Sequence, residues 1–308
     1  MFKFDFKIES ETGDIPLENG EVSTECKGIT VAEECSNKDW YKSEEIKPTE
    51  DILENIDICK LNSLSKDYKS VALRYMVSGF LLEDIKNNEG DEVTDLKKAE
   101  ENHSDLIPAV YEGGAKIWEC TDDLLMYFAE NISTSEWKDK YVLDLGCGSG
   151  LLGIYAFNNG AKVTFHDYNK DVLENITIPN VVLNTLQQSD DDDEDIYDFE
   201  KLLEKTRYFS GDWEKWCSSQ ICDKLYDIIV TSETIYNPDN QQKLLNCLHD
   251  KLKVDGKVYV AAKTYYFGVG GGLRQFEQLI EKDKRFTFKS LWLSTEGVNR
   301  EILELRKK

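Results

Sequence analysis

Nine residues, Val142 to Gly150, read Val-Leu-Asp-Leu-Gly-Cys-Gly-Ser-Gly and constrain the fold more than any other stretch of the chain. Tyr141 to Leu145 have the length and apolar character of a buried parallel strand, and Leu151 to Phe157 continue as a helix. Between them, Gly146, Gly148 and Gly150 remove side chains where a backbone must approach a ligand or take positive φ. Such a turn delivers its ligand to a helix N-terminus, where unpaired N–H groups favour a carboxylate or phosphate. The stretch reads as a site for a nucleotide-type cofactor.

Gly148 to Gly153 is a literal G-x-G-x-x-G, a pattern that by itself also fits dinucleotides. The strand, however, carries Asp144 beneath the loop. A pyrophosphate would be repelled by that carboxylate, whereas the ammonium and sulfonium of S-adenosylmethionine (SAM) would be attracted. Asp144 with Gly146, Gly148 and Gly150 resembles motif I of the class I methyltransferases, which implies SAM as cofactor. An NAD site and an empty structural turn are the alternatives.

A chain of 308 residues with 40% hydrophobic content can bury a full α/β core plus an extension. Met1 to Asp14 contain no secretory apolar segment and the chain no long apolar span, so no membrane association is expected. The eight cysteines are scattered, and Cys217-x4-Cys222 lacks partners at zinc spacing, so no metal is expected. Reduced, mostly buried thiols point to a cytoplasmic or nuclear compartment. A net charge of −23 argues against direct nucleic-acid binding. It fits a basic protein partner, a ribosomal protein included, and equally fits simple solubility.

Residues 1–100 form an acidic extension without sustained periodicity, partly disordered before about residue 50, with the later part docking on residues 101–308. Leu53 to Leu64 suit a short amphipathic helix, Val71 to Ile85 hold one apolar run, and Lys86 to Asn102 read as a linker. The acidic run Asp190 to Asp195 reads as a solvated loop. From Trp137 onward, strands at Tyr141–Leu145, Lys162–His166, Arg207–Ser210, Tyr226–Thr231 and Gly256–Thr264 alternate with helices. Phe286–Leu293 and Glu301–Arg306 leave no room for a crossover helix and must pair antiparallel. The fold class is α/β: a seven-stranded, Rossmann-like class I methyltransferase sheet with a terminal antiparallel hairpin.

Ligands of open parallel sheets lie beyond the carboxyl ends of the strands. There Asp167, about 20 residues past the glycine loop, is placed to accept ribose hydroxyls, or with Asn169 to cap a helix. Asp212 offers a carboxylate to an adenine amino group and Trp213 a face to its ring, beside Gly211. Glu233 and Tyr236 stand as E-x-x-Y after the fourth strand, followed by Asn237, facing the position of the transferred methyl. These three polar groups at a strand end must find partners, either substrate or structure.

Tyr111 to Thr121, with two glycines, an aromatic and an acid, suggest a segment folding over the cofactor. That segment, with His166-Asp-Tyr-Asn169, Ile178-Pro-Asn180, Gly211-Asp-Trp213 and Ser232-Glu-Thr-Ile-Tyr236, closely resembles the eukaryotic histidine protein methyltransferases over residues 108–308. The resemblance implies SAM-dependent methylation of the tele nitrogen of a histidine in a large-subunit ribosomal protein; a monomer is expected. It implies cofactor contacts from Ile117, Trp118, Glu119, Cys120, Thr121, Gly146, Asp167, Tyr168, Asn169, Gly211, Asp212, Trp213 and Ser232. The short acidic front departs from the family pattern. Related lysine methyltransferases share a D/E-x-x-Y box that Glu233 and Tyr236 also match, so a lysine acceptor stays open, as does a SAM-binding ribosome-assembly factor. For a histidine acceptor no strong base is needed, because imidazole is mostly neutral near pH 7. Its tautomer must be fixed, and Glu233 is the candidate orienter, with Tyr236 and Asn237 shaping the pocket.

Overall fold

The computed structural model describes residues 40–69, 71–77, 79, 94–107, 109–187, 196–219, 221–294 and 297–308. The expectations for the front up to residue 39, for residues 86–93 and for the acidic run 190–195 lie outside the described residues. The described residues fall in one compact unit.

In chain order the described strands are β1 (Glu44–Ile46), β2 (Ser63–Tyr68), β3 (Val71–Met76), β4 (Tyr141–Leu145), β5 (Lys162–Asp167), β6 (Leu186–Gln187), β7 (Ile196–Tyr197), β8 (Thr206–Ser210), β9 (Tyr226–Ser232), β10 (Leu252–Lys263), β11 (Phe286–Ser294) and β12 (Arg300–Lys307). Eight of them form one sheet in the order β1-β8-β5-β4-β9-β10-β12-β11. β8, β5, β4, β9 and β10 are parallel, and β12 inserts antiparallel between β10 and β11. This is the seven-stranded sheet of class I methyltransferases, reversed hairpin included. β1 is an addition to that sheet, pairing antiparallel with β8 at its edge.

Both faces of the sheet are covered, which is why the central strands read as continuous apolar runs. Along β4, Val142 belongs to one core and Leu143 and Leu145 to the other. The first core lies under helices Glu119–Asn131 and Leu151–Asn158, where Phe128 meets Trp137, Tyr155 and Tyr259 at ring separations of 4.9, 5.9 and 5.1 Å. The second lies under helices Pro238–Lys251 and Leu273–Asp283. Edge-to-face packing of Phe128 on Trp137 and Tyr259 adds to burial in the first core.

Three elements of the front depart from the sequence reading. The helix expected over Leu53 to Leu64 is split into Asp51–Glu54 and Ile56–Leu61, and β2 begins at Ser63. β2 and β3 form a separate hairpin, bound to the main body by Asn184, whose Oδ1 accepts from Arg74 N–H at 3.0 Å, and by Asn180, whose Oδ1 accepts from Met76 N–H at 2.8 Å. The presumed linker contains a helix, Asp95–Glu101, started by the Thr94 hydroxyl accepting from Lys97 N–H. Its two buried residues, Leu96 and Ala99, pack with Tyr111, Val172 and Ile176. Two apolar anchors in seven residues give too little periodicity to be read in advance.

Candidate active site

The loop after β4 turns left-handed at Gly146, Gly148 and Gly150, with φ of 69°, 50° and 77°. A side chain at Gly148 would place its Cβ 2.8 Å from the Gly114 carbonyl oxygen, so glycine is needed there for approach as well as for φ. The loop is held from three sides. Gly146 and Cys147 donate to the His166 carbonyl at 2.8 and 2.9 Å, the Thr177 hydroxyl donates to Gly148 O at 2.6 Å, and the Asn180 amide donates to Ser149 O at 2.9 Å. Asn180 therefore ties the glycine loop to the β2–β3 hairpin.

A cleft of about 890 Å³, partly open to solvent, lies above the loop at the carboxyl ends of the parallel strands. Of the residues expected from the sequence, Trp118, Thr121, Gly146, Gly148, Asp167, Tyr168, Gly211, Asp212, Trp213, Ser232, Glu233 and Tyr236 line it. Asp167 is buried; its Oδ2 accepts from Gly148 N–H at 2.8 Å and its Oδ1 from Asn169 N–H at 3.2 Å. Burial pushes its pKa up to about 6 against the pull of those N–H donors. Asp212 starts the helix Trp213–Ser218 through Oδ1 and meets Lys243 Nζ at 2.9 Å through Oδ2. The Thr121 hydroxyl donates to Ser232 Oγ at 3.2 Å across the cleft wall.

Other expected contacts do not line the cleft. Asp144 is 1% exposed, its Oδ2 accepts from Gly153 N–H at 2.8 Å, and its Oδ1 has no hydrogen-bond partner among the described residues. Burial pushes its pKa up to about 8, so near neutral pH it is mainly an uncharged acid. The electrostatic attraction expected between Asp144 and a cationic donor is therefore replaced by a structural bond to the helix start. Gly150 faces Thr177 and Phe165 rather than open space. Asn169 is fully buried and holds the segment before the helix Glu119–Asn131: its Oδ1 accepts from Glu112 N–H at 3.0 Å, and its amide donates to Val110 O at 2.6 Å. Ile117 packs against the core, and Glu119 pairs with Lys263 at 2.9 Å. Buried Cys120 donates its N–H to Glu233 Oε1 at 3.4 Å. Asn237, expected beside the acceptor, instead starts the helix Pro238–Lys251 by accepting from Asp239 N–H at 3.0 Å. His166 is buried against Trp216 at 4.6 Å between ring centroids, and burial lowers its pKa to about 3, leaving a neutral core residue.

Glu233 has a left-handed backbone, φ 59°, uncommon for a residue other than glycine. Its N–H donates to Ala261 O at 2.9 Å, Lys263 Nζ lies 3.8 Å from Oε1, and Oε2 is buried with no hydrogen-bond partner among the described residues. Tyr236 does not bond Glu233; its hydroxyl donates to Glu112, whose other oxygen accepts from Ala109 N–H at 2.7 Å. The segment Tyr111 to Trp118 thus spans from the end of β5, through Asn169, to the end of β9, through Tyr236. The sequence reading suggested this cover but did not single out Glu112, Gly113, Gly114 or Lys116, all of which line the cleft. It also missed Trp40, Cys147, Ser149, Leu152, Thr234 and Asn240. Trp40 stands in a short acidic stretch without hydrophobic periodicity and carried no signal.

The cleft suits a cofactor with a nucleoside at the β5–β8 side and a reactive group at the β9 side. Asp167 and Asp212 are polar anchors on the first side, and the buried Oε2 of Glu233 lies on the second. A family model described as "Lysine methyltransferase" matches residues 108–268. The chain is 43% identical to a histidine protein methyltransferase 1 homolog of Bos taurus over 223 residues, which cover 68% of this chain and 59% of that one. It is 42% identical to one of Dictyostelium discoideum over 208 residues, covering 67% and 61%. It is 30% identical to histidine protein methyltransferase 1 of Schizosaccharomyces pombe over 247 residues, covering 71% and 72%. The chain thus spans about three fifths of the length of the mammalian and Dictyostelium relatives. The names of the family and of the relatives differ on the acceptor, lysine or histidine, and agree on methyl transfer. Sheet order, glycine loop and relatives converge, and the chain belongs to the family of SAM-dependent methyltransferases that includes the histidine protein methyltransferases.

Proposed function

We propose that the chain methylates the tele nitrogen of a histidine in a basic protein, a ribosomal protein of the large subunit, as a monomer acting in the cytoplasm and nucleus. The observation that carries the reading is Glu233, a buried carboxylate at the end of β9 with one oxygen free of hydrogen bonds among the described residues. Bound SAM supplies a methyl group activated by its sulfonium. A neutral imidazole needs no base to attack it, but the reacting nitrogen must present its lone pair while the other nitrogen holds the proton. Glu233 is placed to accept that second N–H, which fixes the tautomer and aims the ring. Its strained backbone is the kind of cost that persists where surrounding structure enforces it at a working site. Transfer would leave the ring positively charged, and Glu233 would face that charge until the ring's N–H proton passes to solvent. The names of the relatives support histidine as acceptor.

The description of the matching family model favours a second reading, a lysine acceptor. An ammonium with an ordinary pKa near 10.4 would have to lose a proton before attack. The deciding experiment incubates the full chain with labelled SAM and extract from cells lacking it, followed by peptide-level mass spectrometry. A methyl group on the tele nitrogen of histidine supports the proposal, and one on lysine replaces it with the second reading. Tight SAM binding with no transfer would overturn both.

A further inference from the structure

Trp40 lies far outside the span that the family model matches, yet it lines the cleft. The chain entering β1 passes directly over Gly211, where φ is 109° and a Cβ would stand 2.5 Å from the Lys42 carbonyl oxygen. Asp212 N–H donates to Tyr41 O at 3.1 Å, so this segment is bound to the same turn that follows β8. The Tyr41 ring stacks on Tyr168 at 4.9 Å with an interplanar angle of 8°, and the Trp40 ring meets Tyr168 edge-on at 6.0 Å. Lys243 Nζ lies 3.6 Å from the Trp40 ring centroid while also pairing with Asp212. Trp40 is therefore fixed by an aromatic neighbour and a cation, and lines the cleft beside Tyr168, Asp212 and Trp213.

This wall lies at the ends of β5 and β8, across β4 from Glu233. In open parallel sheets the acid ending the second strand marks the ribose, which puts the purine beyond it, toward β8. A flat, fixed indole at that end matches a flat nucleobase. We infer that Trp40 is the adenine-covering wall of the SAM site, so that the stretch preceding β1 is a working part of cofactor binding. The inference rests on the cleft being the SAM site and is independent of the acceptor.

Calorimetric titration of the full chain with S-adenosylhomocysteine tests it, comparing wild type, Trp40→Leu and Trp40→Phe. Leucine keeps apolar cover but removes the planar face; phenylalanine keeps a smaller one. Loss of base–aromatic stacking should weaken binding of the leucine variant by about 5- to 150-fold, with phenylalanine recovering most of it. Fluorescence serves as a second readout that does not require the leucine variant to fold: the ligand-dependent change of wild type should shrink in Trp40→Phe, where Trp118 and Trp213 remain in the cleft. Equal affinity of the leucine and phenylalanine variants, or an identical fluorescence response in wild type and Trp40→Phe, would overturn the assignment of Trp40. Failure of wild type to bind S-adenosylhomocysteine would instead refute the cofactor site itself.

Discussion

Asp144→Asn should make the folded state less sensitive to pH, and the size of the effect follows from the position of the side chain. The carboxyl is 1% exposed beneath the glycine loop, and burial pushes its pKa up to about 8. In the unfolded chain an aspartate titrates near 3.9. Between those values the folded state keeps a proton that the unfolded state has released, so stability falls as pH rises. The contribution is complete below about pH 4, declines at about 1.4 kcal/mol per pH unit, and is exhausted near pH 8. From pH 5 to pH 7 wild type should therefore lose up to about 2.7 kcal/mol that the asparagine variant retains. Asparagine matches the neutral acid in shape and can accept the same Gly153 N–H, so the two proteins should approach equal stability at the acid end. Urea unfolding of both proteins at pH 5, 6 and 7 measures the difference. A gap that does not change with pH would mean that Asp144 is ionised in the fold, and the account of the loop as resting on an uncharged acid would be wrong.

Glu233→Gln should lower kcat by on the order of 100-fold, from misplacement of the acceptor, with SAM affinity within a few-fold of wild type; equal losses in both would show that Glu233 serves the cofactor. Gly148→Ala forces a side chain into a left-handed backbone 2.8 Å from Gly114 O. It should destabilise the fold by about 1–2 kcal/mol and weaken S-adenosylhomocysteine binding, and unchanged values in urea unfolding and calorimetry would contradict the close approach. Tyr236→Phe removes the hydroxyl that holds Glu112. Amide exchange over residues 111–118 should quicken, as should release of bound S-adenosylhomocysteine in stopped-flow displacement. Unaltered exchange would show that the segment is fixed without the Tyr236 hydroxyl.

The sheet was readable because each central strand is apolar on both faces and bounded by its own turn, as Tyr141–Leu145 and Tyr226–Ser232 show. The terminal hairpin followed from the short gap between Leu293 and Glu301. The front was opaque for physical reasons. β1 has three residues with one buried, and the helix Asp95–Glu101 rests on two apolar anchors, so neither produces a period. Around the cleft, residue types indicated chemistry but not orientation. Asp144, Asn169 and Asn237 are polar residues at strand ends or helix starts, where a ligand and a backbone N–H compete for the same oxygen. In the structure a backbone N–H holds an oxygen of each of them. Glu112 stood in a segment recognised as a cover, yet its bond to Tyr236 spans 124 residues of sequence and leaves no local trace.

The insertion of β12 between β10 and β11 sets an order on assembly. β11 makes its ladder with β12 and none with β10, so it has no seat in the sheet until the strand that follows it has been made. Until then β10 presents an open edge rich in valine and alanine, next to a strand that already carries Glu233 at its tip. A nascent chain halted before Arg300 should therefore be sticky, and inactive even with its glycine loop and strand-end acids all in place. Late substitutions at Ile302, Leu303 or Leu305, remote from the cleft in sequence, should reduce the yield of soluble protein before they alter its chemistry.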